Sequence, residues 1–291
     1  MSEEQNKLAD VHVIAVGSGK GGVGKSTVTA GLAFALRDQG FKVGILDADI
    51  YGFSIPRITG VMDEKPALKD EKTVIPVEKD GVKIISMGSL VDENQALAWR
   101  GPMLQGILQQ FVNEVEWGDL DYLLVDLPPG TGDVAISVIN LLPGASFVLV
   151  TTPQETSYRV AARLGMLTRQ VNMKVLGVIE NMSYFECDQC GEKHYIFGQS
   201  DDDIKAIATG FGGRVLGRIP LRKSMREAAD NGRLSRVSKS EDAREFREIA
   251  GLLPELAQKA KEERAQEPEK PRDPHQPPAP PEKNACSIQG G

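Results

Sequence analysis

The sequence predicts an α/β protein: a doubly wound, mostly parallel sheet with helices on both faces. Three observations carry that expectation. Short apolar, β-branched runs alternate along the chain with segments whose apolar residues repeat at helical spacing. A glycine-rich turn over residues 17–24 joins the first such run to the first helical segment. Two later runs end in aspartate where a loop begins, as befits a sheet whose strand C-termini line a ligand crevice.

The elements follow in order. Residues 11–16 (VHVIAV) read as a buried strand, and residues 26–39 as a helix that Gly40 stops. Residues 41–47 form a second strand, completing a βαβ unit with a right-handed crossover. Residues 82–87 read as a further strand, 102–115 as a helix with Pro102 at its first position, and 121–126 as a strand. Two more buried strands are expected at 146–151 and 174–180, with a helix over 156–170 between them. Residues 182–198 read as a polar insertion, followed by a helix starting near Ser200. A strand at 215–219 ends at Pro220, and helices follow near 222–231 and 241–261. No internal repeat is visible.

Composition bounds the rest. Of 291 residues, 8–262 are expected to form one globular domain, large enough for a well-formed core, with 1–7 a flexible N-terminus. Seven of the 17 prolines fall between Pro268 and Pro281 among charged and small polar residues, so 263–291 is expected to be a disordered tail. A net charge of −7 and a pI near 5.2 argue against general nucleic-acid binding. No apolar run reaches membrane-spanning length, and the opening MSEEQNKLAD does not read as a signal peptide. Three cysteines make no disulfide framework. The expected location is cytoplasmic.

The glycine-rich turn carries the most chemistry. Gly19, Gly24, Lys25 and Ser26 fit the P-loop pattern G-x-x-x-x-G-K-[ST] between a strand and a helix, where that motif belongs. Glycines let backbone N–H groups over Gly19, Lys20, Gly21, Gly22, Val23 and Gly24 turn inward around phosphate oxygens. The helix N-terminus at Ser26 and Thr27 adds its partial positive charge. Lys25 would hold the terminal phosphates of ATP, and Ser26 Oγ would ligate Mg²⁺. Asp126, ending its strand ahead of LPPGTGD, sits where a carboxylate orders the Mg²⁺ shell through water. Asp49 is the candidate for positioning the attacking water, with Asp47 as its orienting partner. The plainer alternative for that pair is an Asp-rich strand-to-loop turn.

Cys187-Asp188-Gln189-Cys190 is the second signal. Two cysteines at this spacing can share a metal or cluster, form a redox dithiol, or do neither. The polar setting favours ligation, since buried structural cysteines are not expected there. One pair is half a tetrathiolate set, and Cys286 lies in the tail. A symmetric dimer resolves the shortage, because an isologous interface repeats the pair across its axis. Four thiolates would then hold either [4Fe–4S] or Zn²⁺. His194 lies nearby but reads as the polar end of the insertion.

These residues also support resemblances. Lys20 inside KGGVGKST resembles the deviant P-loop ATPases of the MinD, ParA, ArsA and nitrogenase-iron-protein group, the SIMIBI type of P-loop NTPase. The resemblance implies a dimer in which Lys20 reaches the partner's nucleotide, making Lys20 catalytic alongside Lys25 and Asp49. GSGKGGVGKST, LDADIYGFSIP, WRGPM (99–103), DYLLVDLPPGTGD, TTPQ (151–154) and IENMSYFECDQCG together resemble the Mrp/ApbC family of iron–sulfur cluster carriers through most of the folded domain. That likeness implies an ATP-binding homodimer that holds a [4Fe–4S] cluster on Cys187 and Cys190 of each subunit and passes it to apo iron–sulfur proteins. It also implies that Asn181 contacts the adenine. The rival reading, a MinD/ParA-like positioning ATPase, gives no role to the cysteine pair and wants a membrane helix. The mixed-charge 241–263 segment does not supply one.

Overall fold

The computed structural model describes residues 10–49, 52–70, 73–88, 111–130, 138–142, 144–154, 173–187, 189–198, 201–210 and 212–266, with Leu8, Gly106, Gln109 and Thr168 besides and the backbone of 89–90. Its first elements are β1 (His12–Ser18), α1 (Lys25–Asp38), β2 (Val43–Asp47) and α2 (Ser54–Thr59). The short strands β3 (Ala67–Leu68), β4 (Val74–Ile75) and β5 (Val77–Lys79) precede β6 (Val82–Ser86), β7 (Tyr122–Asp126) and β8 (Ser146–Thr151). Then come β9 (Lys174–Glu186), β10 (Lys193–His194), α3 (Asp201–Gly210), β11 (Arg214–Leu221), α4 (Lys223–Asp230), α5 (Leu234–Val237) and α6 (Arg244–Gln266).

Among the described residues nine strands form one sheet in the order β10-β9-β8-β1-β7-β2-β6-β5, with β11 also paired to β9. Every pairing among β1, β2, β6, β7, β8, β9 and β11 is parallel, whereas the short β5 and β10 run antiparallel to β6 and β9. The expected doubly wound, mostly parallel sheet is therefore what forms. Period-two alternation explains its double burial. Ile14, Val16, Ile45, Leu124, Val148, Val150 and Ile179 face one core with α1 and α6. Ala15, Leu46, Leu123, Val125, Phe147, Leu149 and Val178 face the other with Phe111, Trp117, Ile204 and Ala208. Helices α1 and α6 approach closely at Gly31, where a Cβ would lie 2.5 Å from the Phe246 ring.

Two differences from the sequence reading bear on the site. Strand β9 does not stop at Glu180 but runs on to Glu186, so the residues read as the start of an insertion are strand. The segment 50–81, left unassigned above, contributes α2 and three short strands. The expected helix over 102–115 is helical at 111–113, and Pro102 falls outside the described residues, as does the 156–170 helix apart from Thr168. Among the described residues no helix is long and apolar enough to cross a membrane.

Candidate functional site

Strand register assembles the crevice. Asp126 stands opposite Val16 on one side and Asp47 on the other, and Asp47 stands opposite Ser86. The C-terminal ends of β1, β7, β2 and β6 thus open onto one place, the position that ligands take in parallel sheets. From β1 the chain enters residues 19–24, where Gly22 and Gly24 take left-handed φ values of 79° and 80° that side chains rarely adopt. Gly24 caps α1, and the first helical bond is Val28 N–H to Gly24 O. The N–H groups of Lys25, Ser26 and Thr27 consequently have no acceptor within the helix. Lys20, Gly21, Gly22, Val23, Gly24, Lys25, Ser26, Thr27, Asp49 and Pro129 line the same cleft. Gly130 N–H donates to Ser18 O at 2.8 Å, stitching together the loops that follow β7 and β1.

The charges converge on Asp126, which is wholly buried. Lys25 Nζ lies 2.7 Å from Asp126 Oδ2 and 3.9 Å from Asp49 Oδ2. The Ser26 hydroxyl donates to Asp126 Oδ2 at 2.6 Å, and the Thr29 hydroxyl donates to Oδ1 at 2.7 Å. Asp47 sits behind them. It accepts from Asp49 N–H at 3.1 Å and from the Ser86 hydroxyl at 2.7 Å. Burial, and next the charge of Asp126, push the Asp47 carboxyl up to about 8, against the pull of Ser86 and Lys25. Ser26 at the N-terminus of α1 and Asp126 at the end of β7 are adjacent hard oxygen donors, a set that suits Mg²⁺ beside a phosphate chain.

The two lysines of the loop are held apart. Lys25 is buried against Asp126, whereas Lys20 Nζ donates to Gln154 Oε1 beyond the end of β8. Asn181 lies in β9, buried, and its Nδ2 donates to Val23 O at 2.8 Å. A Cβ on Gly24 would stand 2.3 Å from that Nδ2, so this glycine is required by space as well as by φ. Sequence reasoning missed Thr29 and Ser86. The i+4 spacing from Lys25 was the available signal for Thr29, and a small polar residue at a strand end was the signal for Ser86.

The cysteine pair closes a hairpin tip. Glu186 pairs with Lys193 and Phe185 with His194, while Cys187 N–H donates to Glu192 O at 3.0 Å and Gly191 N–H donates to Cys187 O at 2.8 Å. Gly191 takes the left-handed φ of 72° that this turn demands. Cys187 is half-buried and Cys190 is exposed, and neither is in a disulfide. His194 belongs to the ladder, with its ring 6.4 Å from Phe185. Among the described residues no group of three or more His, Cys, Asp or Glu side chains is disposed to hold a metal ion. Asn181, at the P-loop, and Cys187, just past the strand end, are six residues apart, about 20 Å in extended chain.

Residues 10–253 match the model of the NUBPL iron-transfer P-loop NTPases. The chain belongs to that family. Among curated relatives it is 50% identical over 210 residues to the iron–sulfur cluster carrier protein of Bacillus subtilis, covering 72% of this chain and 58% of that one. It is 45% identical over 233 residues to the carrier protein of Pseudomonas fragi, covering 79% of this chain and 80% of the relative. Against the Bacillus subtilis protein, then, the chain spans little more than half the relative's length. Among solved structures, the nucleotide-binding protein of Archaeoglobus fulgidus in complex with ADP superposes with a TM-score of 0.69 at 38% identity, over 80% of this chain and 91% of that one. These likenesses agree with the P-loop crevice and the mostly parallel sheet of this NUBPL-family chain.

Proposed function

We propose that this chain is an ATP-dependent iron–sulfur cluster carrier: a cytoplasmic homodimer that holds a [4Fe–4S] cluster between its subunits and hands it to apo-proteins. The observation that carries the reading is one strand that touches the P-loop at its middle and leads into the cysteine pair at its end. Asn181 of β9 is hydrogen-bonded into the P-loop, and Cys187 follows directly on its last residue. A phosphate-binding crevice alone would fit many ATPases, and a cysteine pair alone would fit a small metal site. Their attachment to the same strand supports a protein whose nucleotide state and cargo site are linked.

Lys25 and the N–H groups at the start of α1 would hold the β- and γ-phosphates, and Asn181 would border the adenine. Ser26 would bind Mg²⁺ directly and Asp126 through its water. Magnesium supplies charge neutralisation on the phosphates when bound. Asp49, beside Lys25 at the crevice mouth, would orient the attacking water, and Asp47 holds the Asp49 backbone in place. On the cargo side, a cubane cluster takes four thiolates, and one chain offers two at the hairpin tip. Cys187 and Cys190 of each subunit complete the set across a two-fold axis.

Anaerobic reconstitution of the full chain with iron and sulfide tests this. The expected result is one cluster per dimer, transferable to an apo iron–sulfur enzyme. Iron and sulfide should be lost in Cys187→Ser and in Cys190→Ser, retained in Cys286→Ser, and ATP binding should survive all three changes. A monomer holding a full four-iron cluster would overturn the bridging arrangement. One zinc per dimer without sulfide would overturn the carrier function.

A further inference from the structure

We infer that the β9–β10 hairpin is the docking arm of the cluster-bound dimer, with Tyr195 and Ile196 as its apolar anchors seated on a second copy of this chain. The inference rests on the proposed carrier function. Four large hydrophobic side chains are exposed among the described residues: Met62, Leu68, Tyr195 and Ile196. The last two stand together directly after β10, on the hairpin that carries the cysteines, with Tyr195 38% and Ile196 61% exposed. In an acidic, highly charged chain, adjacent exposed apolar residues beside a ligand pair mark a contact surface more readily than a solvated loop.

Local contacts fix the segment that carries these side chains. Gly198 N–H donates to Tyr195 O at 3.2 Å, a turn that fixes 195–198 at the base of the hairpin. Tyr195 lies 6.1 Å from the Tyr184 ring, and Lys193 Nζ lies 4.6 Å from the centroid of the same ring. Tyr195 and Lys193 thereby pack on the buried Tyr184 ring, and Tyr195 keeps its other face exposed. From the Tyr184 level, where Tyr195 packs, to Cys187 is three residues of chain, about 10 Å, so a partner close enough to share thiolates also meets Tyr195 and Ile196.

Ligand count decides the occupant. A four-thiolate site needs two more cysteines, and among the described residues no third His, Cys, Asp or Glu joins the pair. A second copy brings two thiolates and, by symmetry, its own Tyr195 and Ile196 to the same interface. The burial has a purpose beyond affinity. Apolar side chains packed around a thiolate-bound cluster exclude water and chelators, so the anchors set how long the cluster stays.

The experiment compares reconstituted wild type with Ile196→Asp, Tyr195→Ser and the conservative Ile196→Leu. Light scattering reads dimer mass, iron and sulfide are measured per chain, and the rate of cluster loss to an external iron chelator reads access. Ile196→Asp should weaken the cluster-bound dimer by about tenfold or more, as loss of an interface anchor does. Cluster loss to chelator should speed up by a similar factor, and Ile196→Leu should restore both. Nucleotide affinity should stay at the wild-type value, reporting an intact fold. Should Ile196→Asp fail that check, Tyr195→Ser and Ile196→Ser carry the comparison. Wild-type dimer strength and chelator resistance in the folded variants would overturn the arm and leave the carrier function standing. Absence of iron and sulfide in the wild-type dimer would instead overturn the carrier function, and the arm with it.

Discussion

Asp47 shows what two carboxylates at adjacent strand ends cost. Register places it opposite Asp126, and both are buried. Lys25 is committed to Asp126 at 2.7 Å, and Asp47 has its hydrogen bonds from Ser86 and Asp49. With its carboxyl raised from 3.8 to about 8, Asp47 keeps its proton at neutral pH. The linkage sign follows. Between the unfolded and folded values the native state binds more protons than the unfolded chain, so stability falls as pH rises from about 4 to about 8 and levels off beyond. Asp47→Asn keeps an acceptor for Asp49 N–H and removes the titration. In the nucleotide-free protein it should raise the unfolding temperature at pH 8 by about 2 °C or more and flatten the slope between pH 5 and pH 8. Thermal unfolding across that range checks it, and a slope unchanged in Asp47→Asn would assign the pH dependence to another group.

At the scale of elements, the P-loop and β9 act as one piece. Gly24 has left-handed φ and no room for a Cβ beside Asn181, and Asn181 in turn fixes the loop by its bond to Val23 O. Gly24→Ala should therefore abolish ATP binding while costing about 1–3 kcal/mol of stability, through strain and displacement of Asn181. Calorimetric titration beside a denaturant curve measures both, and near-wild-type ATP affinity would mean that the contact yields. The core strands and the P-loop helix were legible because both faces of the sheet are buried, which writes continuous apolar runs such as VHVIAV and YLLVD into the sequence. The extension of β9 was not legible. Past Glu180 the strand carries Asn181 and Ser183, and polar residues there read as loop. They are buried because each has a partner in the fold, Ser183 on Glu180 and Asn181 on Val23, and Arg218 of β11 pairs with the same Glu180. Met182, at a φ of 53°, also breaks the alternation by which a strand is recognised. Short antiparallel strands such as β5 and β10 hold two or three residues each, too few for a periodic signal.

At the scale of the whole molecule, we expect the two lysines of the P-loop to divide the work between a chain and its partner. Within one chain Lys25 lies against Asp126 and Lys20 is turned to Gln154, beyond the end of β8. Lys25 is thus placed for phosphates bound in its own crevice, and we expect Lys20 to serve the crevice of the second subunit. If so, the loss of Lys20 and the loss of Asp49 damage different sites. In a mixed dimer of Lys20→Ala and Asp49→Asn chains, the Lys20→Ala crevice keeps its own Asp49 and receives Lys20 from the partner, so one site is whole. Each variant alone should bind ATP and turn it over poorly. An equimolar mixture in free exchange makes about half of its dimers mixed, each with one working site of two, and should recover about a quarter of the wild-type rate. A lysine acting within its own chain gives the opposite answer, because the mixed dimer then has one crevice lacking Lys20 and one lacking Asp49. ATPase assays of the mixture against each variant alone decide between them. A rate no higher than the average of the two variants, with exchange demonstrated by mass, would place Lys20 in its own chain's crevice.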